Sequence, residues 1–411
     1  MKLPKNQKTE YANILATRSK RIGIMKKTLL TTTAVALTGF AGAASAMEVG
    51  TAGAVTLNIG GYFTTNIAIA SVDAAAGTDY DGMDILTNSE IHFKPSITLD
   101  NGITFGADIE LEGNTSGDQI DEQYVYAKGS FGKIIVGSEN SVGYKMSLGA
   151  PDVSLIGVNS GSLTAFVPFS SATTGADIFR GTLGSTYLEN DRNNDAQRIS
   201  YFSPSFGGFA VGISYARDAS EGNGAVNNNS TTTDFVDVAA SYGGSMGGMD
   251  LGLYAHYGTA SAAPGGTDPE VWGGGINLGF GGFTFGTSFG EQDGTTDNDG
   301  NSFDVGVKYA NGPWSYSLTY FEGTNADDEA VNGSAQSSVL NANGSITTTA
   351  AVAGIPGAKE TLKQVIAAAT YKVNGNFKVS AFIADVDFDE DTSTANDIEG
   401  TVVGFGAKFS F

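Results

Sequence analysis

The residue types that usually carry catalysis or metal binding are scarce in this sequence. Its 411 residues include two histidines and no cysteine, which excludes thiol catalysis and cysteine-based metal sites. His92 and His256 lie far apart along the chain, and no serine-nucleophile motif is present. A lone histidine on a polar strand face is usually a solvated titrating group. We therefore predict that the protein is not an enzyme and needs no cofactor.

Two short patterns approach ligand-binding loops but lack essential residues. The glycine clusters at 273–275 and 279–282 are not followed by a helical segment, so they indicate turns and close packing rather than phosphate binding. The acidic segment at 297–301 departs from a calcium loop, because Ser302 stands where glycine is needed and no glutamate closes the loop. We predict solvated acidic loops there and at 385–391, with no metal site beyond loose Ca²⁺ binding.

The overall charge and composition exclude further classes of function. The chain has 22 basic and 44 acidic residues, a net charge of −22, which argues against nucleic acid and anionic membrane surfaces as partners. Glycine accounts for 57 residues, twice its ordinary share of ~7%. With 24 phenylalanines and 16 tyrosines, this composition favours many short strands and turns over a helical enzyme.

The N-terminal 46 residues have the character of a targeting segment. Met25-Lys26-Lys27 begins a charged region, a weakly apolar stretch follows, and Ala44-Ser45-Ala46 forms a small-x-small cleavage motif. We predict a signal peptide over 25–46, cleaved after Ala46, and an over-called N-terminal extension at 1–24. The remaining single domain, 47–411, then carries 14 basic and 43 acidic residues.

Alternating apolar and polar residues recur along this domain with the period of a β-strand. Clear examples, each of about ten residues or fewer, occupy 90–99, 103–111, 303–309, 314–320 and 403–411. No apolar run after residue 46 is long enough for a membrane helix. Such strands fit either a soluble sandwich with its apolar face inward or an outer-membrane barrel with its apolar face toward lipid.

The connections between the strands favour the barrel. Seven short glycine-rich turns alternate with eight longer polar stretches, an asymmetry typical of outer-membrane barrels. The turns lie at 100–102, 129–132, 204–208, 243–248, 279–282, 310–313 and 373–376. The long stretches cover roughly 71–88, 112–121, 139–197, 218–233, 259–269, 290–301, 323–362 and 388–397. With end strands near 55–69 and 398–411, we predict a sixteen-stranded antiparallel transmembrane barrel, wide enough for an aqueous channel.

Four stretches of the sequence carry a family resemblance. The most specific is the turn Tyr201-Phe202-Ser203-Pro204-Ser205-Phe206-Gly207-Gly208-Phe209; the others are the hairpin over 123–137, the signal peptide and the terminal Phe411. In these features the chain resembles the trimeric, sixteen-stranded general porins of Gram-negative bacteria, most closely those of alphaproteobacteria.

This resemblance implies a multi-pass outer-membrane channel for passive diffusion of ions and small hydrophilic solutes. It also implies a homotrimer with lipid and lipopolysaccharide as neighbours, and recognition of Phe411 during assembly. The third loop, 139–197, would fold into the lumen and narrow it. The apolar residues of that loop indicate that it packs against another part of the protein.

The residues of the expected constriction depart from the family pattern. Glu90 stands where an arginine is frequent, Ser138 stands where a basic residue is common, and the domain contains four arginines in all. We predict that the pore is lined by charged residues of the polar strand faces and of the third loop. They are Glu90, His92, Lys94, Asp108, Glu110 and Arg198 on strands, and Asp152, Asp177, Arg180, Glu189, Asp191 and Asp195 in the loop. Their acidic excess predicts a preference for cations.

Other functions share parts of this pattern. A substrate-specific channel on the same scaffold would need solute sites in its lumen, such as an aromatic track, and Tyr254 is the one aromatic residue that we place on a polar face. An outer-membrane barrel enzyme would need a nucleophile with a histidine partner at the outer rim. A secreted all-β adhesin would share the strands without forming a pore. We therefore predict a porin, with the substrate-specific channel as the alternative.

Overall fold

The computed structural model consists mainly of antiparallel β-sheet. It describes residues 47–52, 55–74, 77–114, 119–169, 178–189, 194–222, 224–294, 299–326, 337–340, 346–349, 359–391 and 397–411. The predicted N-terminal extension and signal peptide, including Ala46, lie outside these residues. So do Asp177 and Asp191 of the predicted pore lining.

Nineteen strands occur within the described ranges. They are β1 (Met47–Ala52), β2 (Val55–Asp73), β3 (Gly82–Thr98), β4 (Thr104–Glu112), β5 (Ile120–Gly129), β6 (Gly132–Ser138), β7 (Gln197–Phe202), β8 (Phe209–Ala216), β9 (Thr233–Met246), β10 (Met249–Ser261), β11 (Glu270–Phe280), β12 (Phe283–Asp293), β13 (Gly300–Asn311), β14 (Trp314–Ala326), β15 (Ser337–Leu340), β16 (Ile346–Thr349), β17 (Lys359–Lys372), β18 (Phe377–Glu390) and β19 (Ile398–Ser410).

Sixteen of these strands form the closed barrel that the sequence predicts. Strands β2 to β14 pair in chain order, β14 pairs with β17, and β17 to β19 lead back to β2. At the closing seam, the backbone groups of Gly61 and Phe411 exchange hydrogen bonds of 3.0 and 3.1 Å. Strand β1 pairs with the start of β2, while β15 and β16 form a separate hairpin. Closure leaves the barrel without an unpaired edge.

All seven predicted turns lie between paired strands, but the strands differ from the predicted length. They range from 6 to 19 residues in the barrel, whereas the alternation had indicated about ten. The difference lies on the side of the long connections, where β2 continues to Asp73 and β3 begins at Gly82. Alternation continues there through Met83 and Ile85 of β3, within a stretch whose many polar residues had indicated a loop.

One face of the sheet is exposed and strongly apolar. Phe405 is 69% exposed, whereas Gly404, next to it on the opposite face, is buried. Aromatic residues gather on the exposed face near the short turns, with Trp314 against Tyr371 and Phe283 against Tyr309 at ring distances of 4.8 and 4.6 Å. An apolar outer band bordered by aromatic residues is the surface that a barrel presents to lipid.

The connection between β6 and β7, residues 139–196, is packed against the opposite, buried face of the sheet. It contains helix α1 (Val142–Lys145) and a short 3₁₀ helix (Ser162–Ala165). Its apolar residues join the largest buried cluster together with residues of β2, β14 and β17–β19. Among the described residues, no helix has the length and hydrophobicity that crossing a bilayer requires.

Part of the buried face of these strands is apolar, a feature that alternation along single strands does not indicate. The cluster includes Phe321 of β14, Leu362 and Ile366 of β17, and Phe388 of β18, each without exposed surface. They contact the connection instead of water, so they are apolar for the reason that any core residue is apolar. We call the apolar residues of this cluster on β2, β14 and β17–β19 the apolar wall.

Candidate functional site

Two neighbouring strands bring together most of the charged residues that were predicted on strand faces. Glu90, His92 and Lys94 alternate along β3, and the register places His92 opposite Glu110 of β4. Asp108 lies two residues before Glu110, on the same face. Residues that are distant in sequence therefore form one continuous charged surface.

His92 is the centre of this surface, and it is not the lone solvated histidine that the sequence indicated. Its Nε2 atom lies 2.9 Å from Glu90 Oε2, and its Nδ1 atom lies 3.1 Å from Glu110 Oε1. An imidazolium can donate to both carboxylates, whereas a neutral imidazole can donate to one. The pairing depends on the register between β3 and β4, which alternation within one strand does not reveal.

Lys94 and two tyrosines complete the contacts. The Lys94 Nζ atom lies 2.7 Å from Asp108 Oδ2 and 3.5 Å from Glu110 Oε1. Tyr124 donates to Asp108 at 3.2 Å, and Tyr62 donates to Glu90 at 2.5 Å. These bonds fix the carboxylates in place along the sheet.

Sequence reasoning missed two acidic members of the surface. The carboxylate oxygens of Glu90, Glu112 and Asp121 lie within 4.8 Å of one another. The register shifts between Ile109 and Leu111, where β4 meets β5. Such an irregularity changes which residues share a face, so strict alternation does not predict that Asp121 joins Glu90.

We call Glu90, His92, Lys94, Asp108, Glu110, Glu112 and Asp121 the charged wall. It holds five carboxylates against one lysine and one histidine, and therefore has an acidic excess. Oxygen donors of this kind suit hard divalent cations such as Ca²⁺. The contacts described above for the charged wall are all between side chains of the protein.

The predicted loop residues Arg180 and Glu189 form an ion pair inside the connection. Arg180 Nη1 lies 2.5 Å from Glu189 Oε2, and the guanidinium carbon lies 3.9 Å from the Tyr144 ring centroid. Burial disfavours the charged guanidinium, but Glu189, Tyr144 and Asp195 together outweigh this effect and raise the pKa of Arg180. The Glu189 side chain has no exposed surface, so it holds the connection together and does not meet water.

Asp195 is also buried, at the point where the connection returns to β7. Its backbone is left-handed, with φ of 55°, and its carbonyl accepts a hydrogen bond from Ser138 Oγ. Burial raises the pKa of Asp195, against the opposing charge of Arg180. Nearby, Lys145 pairs with Glu139 at 2.8 Å. Burial alone would raise the pKa of Glu139, but the charge of Lys145 and the hydrogen bonds that Glu139 makes together hold this pKa below its usual value.

The remaining predicted residues also serve local structure. Asp152 accepts hydrogen bonds from the backbone amides of Ser154 and Val158 at 2.7 and 2.9 Å, which fixes a turn. Arg198 and Asp237 are buried on neighbouring parts of the sheet, with Nη1 and Oδ2 3.9 Å apart. Of the described candidates, those of the charged wall are grouped together, and the others lie beneath or within the connection.

The connection approaches the sheet backbone closely where the strands carry glycine. A Cβ atom at Gly275 of β11 would collide with the carbonyl oxygen of Leu148, and one at Gly323 of β14 would collide with that of Thr182. Hydrogen bonds hold the same segments, including those from Ala150 N to Asp304 Oδ2 at 3.0 Å and from Ser302 Oγ to the Ser185 carbonyl at 2.7 Å. The glycines of the 273–275 cluster thus serve close packing.

Comparison with known proteins agrees with this architecture. Residues 31–391 match the model of a family described as Gram-negative porin. A search of curated proteins finds no match.

Several solved structures are similar to this chain. OmpT of Vibrio cholerae in its trimer form is 14% identical with a TM-score of 0.55, covering 87% of this chain and 100% of that chain. The anion-selective porin from Comamonas acidovorans is 17% identical, with a TM-score of 0.55 and the same coverage. Salmonella typhi OmpF in complex with daunomycin is 16% identical with a TM-score of 0.51, covering 87% and 98%. At these identities the likeness shows a common fold.

Proposed function

This chain belongs to the Gram-negative porin family, and we propose that its channel is narrowed by the connection 139–196 and favours cations. As a porin it is a multi-pass outer-membrane protein that passes small hydrophilic solutes by passive diffusion, and it is not an enzyme. The narrowing and the ion preference are the two parts of the proposal, and each rests on contacts between described residues.

The distribution of the contacts made by the connection supports a position inside the barrel. It donates to or accepts from side chains of β2, β10, β13 and β17, strands that lie on different sides of a closed sheet. The residues that it touches are on the buried face, opposite the apolar face that suits lipid. A segment that reaches several sides of a barrel across this face would occupy the lumen.

The charged wall supports the cation preference, and it is the single observation that carries this part. Its five carboxylates outnumber its one lysine and one histidine, and Lys94 and His92 are shared among Glu90, Asp108 and Glu110, so the wall has an acidic excess. Two unit charges ~6 Å apart interact by about 3 kcal/mol at an effective dielectric of ~20. In a narrow pore with low-dielectric walls such a field is focused on the permeating ion.

We extend the proposal to assembly. A homotrimer is supported by the trimer form of OmpT from Vibrio cholerae, and contact with lipid and lipopolysaccharide is supported by the exposed apolar face. Phe411, which closes the barrel seam with Gly61, is proposed as the residue that the insertion machinery recognises. The signal peptide at 25–46 stays a prediction, as does the likeness to alphaproteobacterial porins.

The direct test is to reconstitute residues 47–411 in a planar bilayer and to measure conductance and reversal potential across a tenfold KCl gradient. We expect discrete conducting steps and a reversal potential of the sign that indicates faster K⁺ than Cl⁻ permeation. Discrete steps with the anion-selective sign would contradict the cation preference. A folded barrel that conducts no ions would contradict a diffusion channel.

A further inference from the structure

Three lysines lie side by side on adjacent strands near the short turns. The register places Lys372 of β17 opposite Lys378 of β18, and Lys378 opposite Lys408 of β19. Residues directly opposite in an antiparallel pair share a face, with Cβ atoms ~5 Å apart. We call these three residues the lysine row.

The lysine row lies on the same face as the connection and directly next to it. Two residues further along these strands, on the same face, Thr370 is opposite Ser380, and Ser380 is opposite Gly406. Thr370 Oγ1 donates to the Val153 carbonyl of the connection at 2.6 Å. The lysine row therefore lies two residues from the strand positions that contact the connection, on the side of the short turns.

Within the described part of the chain, no carboxylate lies within ion-pair distance of the lysine row. Lys94, Lys145 and Lys363, by contrast, each pair with a carboxylate at 2.7–3.4 Å. Lys408 Nζ lies 4.0 Å from the Tyr62 ring centroid, a contact that does not neutralise its charge. Asp152 interacts with Lys378 electrostatically, from the connection.

Like charges directly opposite each other in a sheet are destabilising. Lys378 has a lysine on both sides, so the row repels itself twice. Lys378 and Lys408 are partly exposed, and Lys372 is exposed. Glu90 also acts on Lys408 electrostatically, but neither Glu90 nor Asp152 forms an ion pair with the row. An arrangement that costs stability, has no carboxylate in direct contact and meets water is suited to a ligand that brings negative charge.

We infer that the lysine row is a binding site for a small multivalent oxyanion of the phosphate class, reached from the short-turn end of the channel. Each ammonium offers three donors on a flexible stem, and a tetrahedral dianion presents several acceptor oxygens to neighbouring donors. Because the lysine ammonium groups are flexible point charges, we expect the oxyanion to bind weakly and to exchange rapidly. The inference rests on the proposed pore but does not depend on its cation preference.

The test uses the reconstituted channel in KCl, with inorganic phosphate added to one side and then to the other. We expect phosphate to reduce the single-channel conductance, with a lower half-blocking concentration from one side of the membrane. The double variant Lys378→Gln/Lys408→Gln should raise that concentration at least tenfold. Lys378→Arg, which keeps the charge, should stay within about threefold of the parent channel.

Lys308→Gln is the matched control. Lys308 lies on the same face of the sheet, but its register partners are Thr284 and Ser317, so its loss should leave the block unchanged. A block of equal strength in the parent channel and the double variant would overturn the inference, as would an equal change in the control. If the double variant does not insert, Lys378→Gln alone should raise the half-blocking concentration of phosphate at least threefold, and a smaller rise would overturn the inference. Failure of the channel itself would appear as absent KCl conductance before any phosphate is added.

Discussion

The charged wall and the apolar wall occupy the same face of one closed sheet, yet their side chains differ in kind. On β3 and β4 this face carries Glu90, His92 and Glu110, which contact one another. On β17 and β18 it carries Leu362, Ile366 and Phe388, which contact the connection. The period of alternation is the same in both regions.

The difference shows that one barrel divides two tasks between its sides. The apolar wall provides a surface on which a long segment can be buried, with the free energy that apolar burial supplies. On the charged wall, hydrogen bonds hold the carboxylates in place, and we propose that this wall borders the pore. Each wall can therefore be altered without directly changing the other.

We expect the largest change in conductance from removing the part of the connection that packs on the apolar wall. Replacing residues 150–189 by a short Gly-Ser linker should raise single-channel conductance severalfold, because the proposed obstruction is gone. The barrel should still fold, since its strands hydrogen-bond to one another. Single-channel recording of the deletion variant tests this, and unaltered conductance would place the segment outside the ion path.

A cavity in the apolar wall should have the next largest effect. Phe388→Ala removes a ring with no exposed surface, and such truncations cost ~3–5 kcal/mol. Phe405→Ala on the opposite, exposed face is the control, and it should cost clearly less. Equilibrium unfolding of both variants in detergent or lipid compares them, and equal losses would contradict the buried packing of Phe388.

Overpacking beneath the connection should have a smaller effect. Gly323→Val places side-chain atoms where the Thr182 carbonyl lies, and overpacking typically costs ~1–3 kcal/mol. We expect faster proteolysis within 150–189 and noisier channel current. Gly375→Val, in a turn with open space around it, should resemble the parent protein. Indistinguishable proteolysis of the two variants would argue against the close contact.

The barrel could be predicted from the sequence because its strands and short turns are encoded by neighbouring residues. Ile103 to Leu111 alternates cleanly, and Asn101-Gly102 supplies the turn chemistry, so strand and turn follow from neighbouring residues. Strand ends such as Asp73 and Gly82 were not predictable in this way, because the polar residues between them resemble a loop, although backbone pairing reaches both positions.

The candidate site was only partly predictable, for a different physical reason. Glu90, His92 and Glu110 could be placed on polar faces, but their mutual contacts depend on register. Asp121 joins them through an irregularity in β4 and β5 that leaves no mark in the residue pattern. Glu189 could be placed in the loop, but its burial with Arg180 depends on how the connection folds.

The central claim is that the carboxylates of the charged wall set the ion preference, and one pair of variants tests it most directly. Glu90→Gln/Glu110→Gln removes two carboxylates from the charged wall, whereas Asp73→Asn/Glu399→Gln removes two carboxylates that are opposite each other on the exposed face of β2 and β19. Reversal potentials across a tenfold KCl gradient, measured at low and high total salt, compare the two. We expect the first variant to move toward zero, with a smaller shift at high salt because of screening, and the second to match the parent channel. Equal reversal potentials in all three channels, or an equal shift in both variants, would contradict the claim.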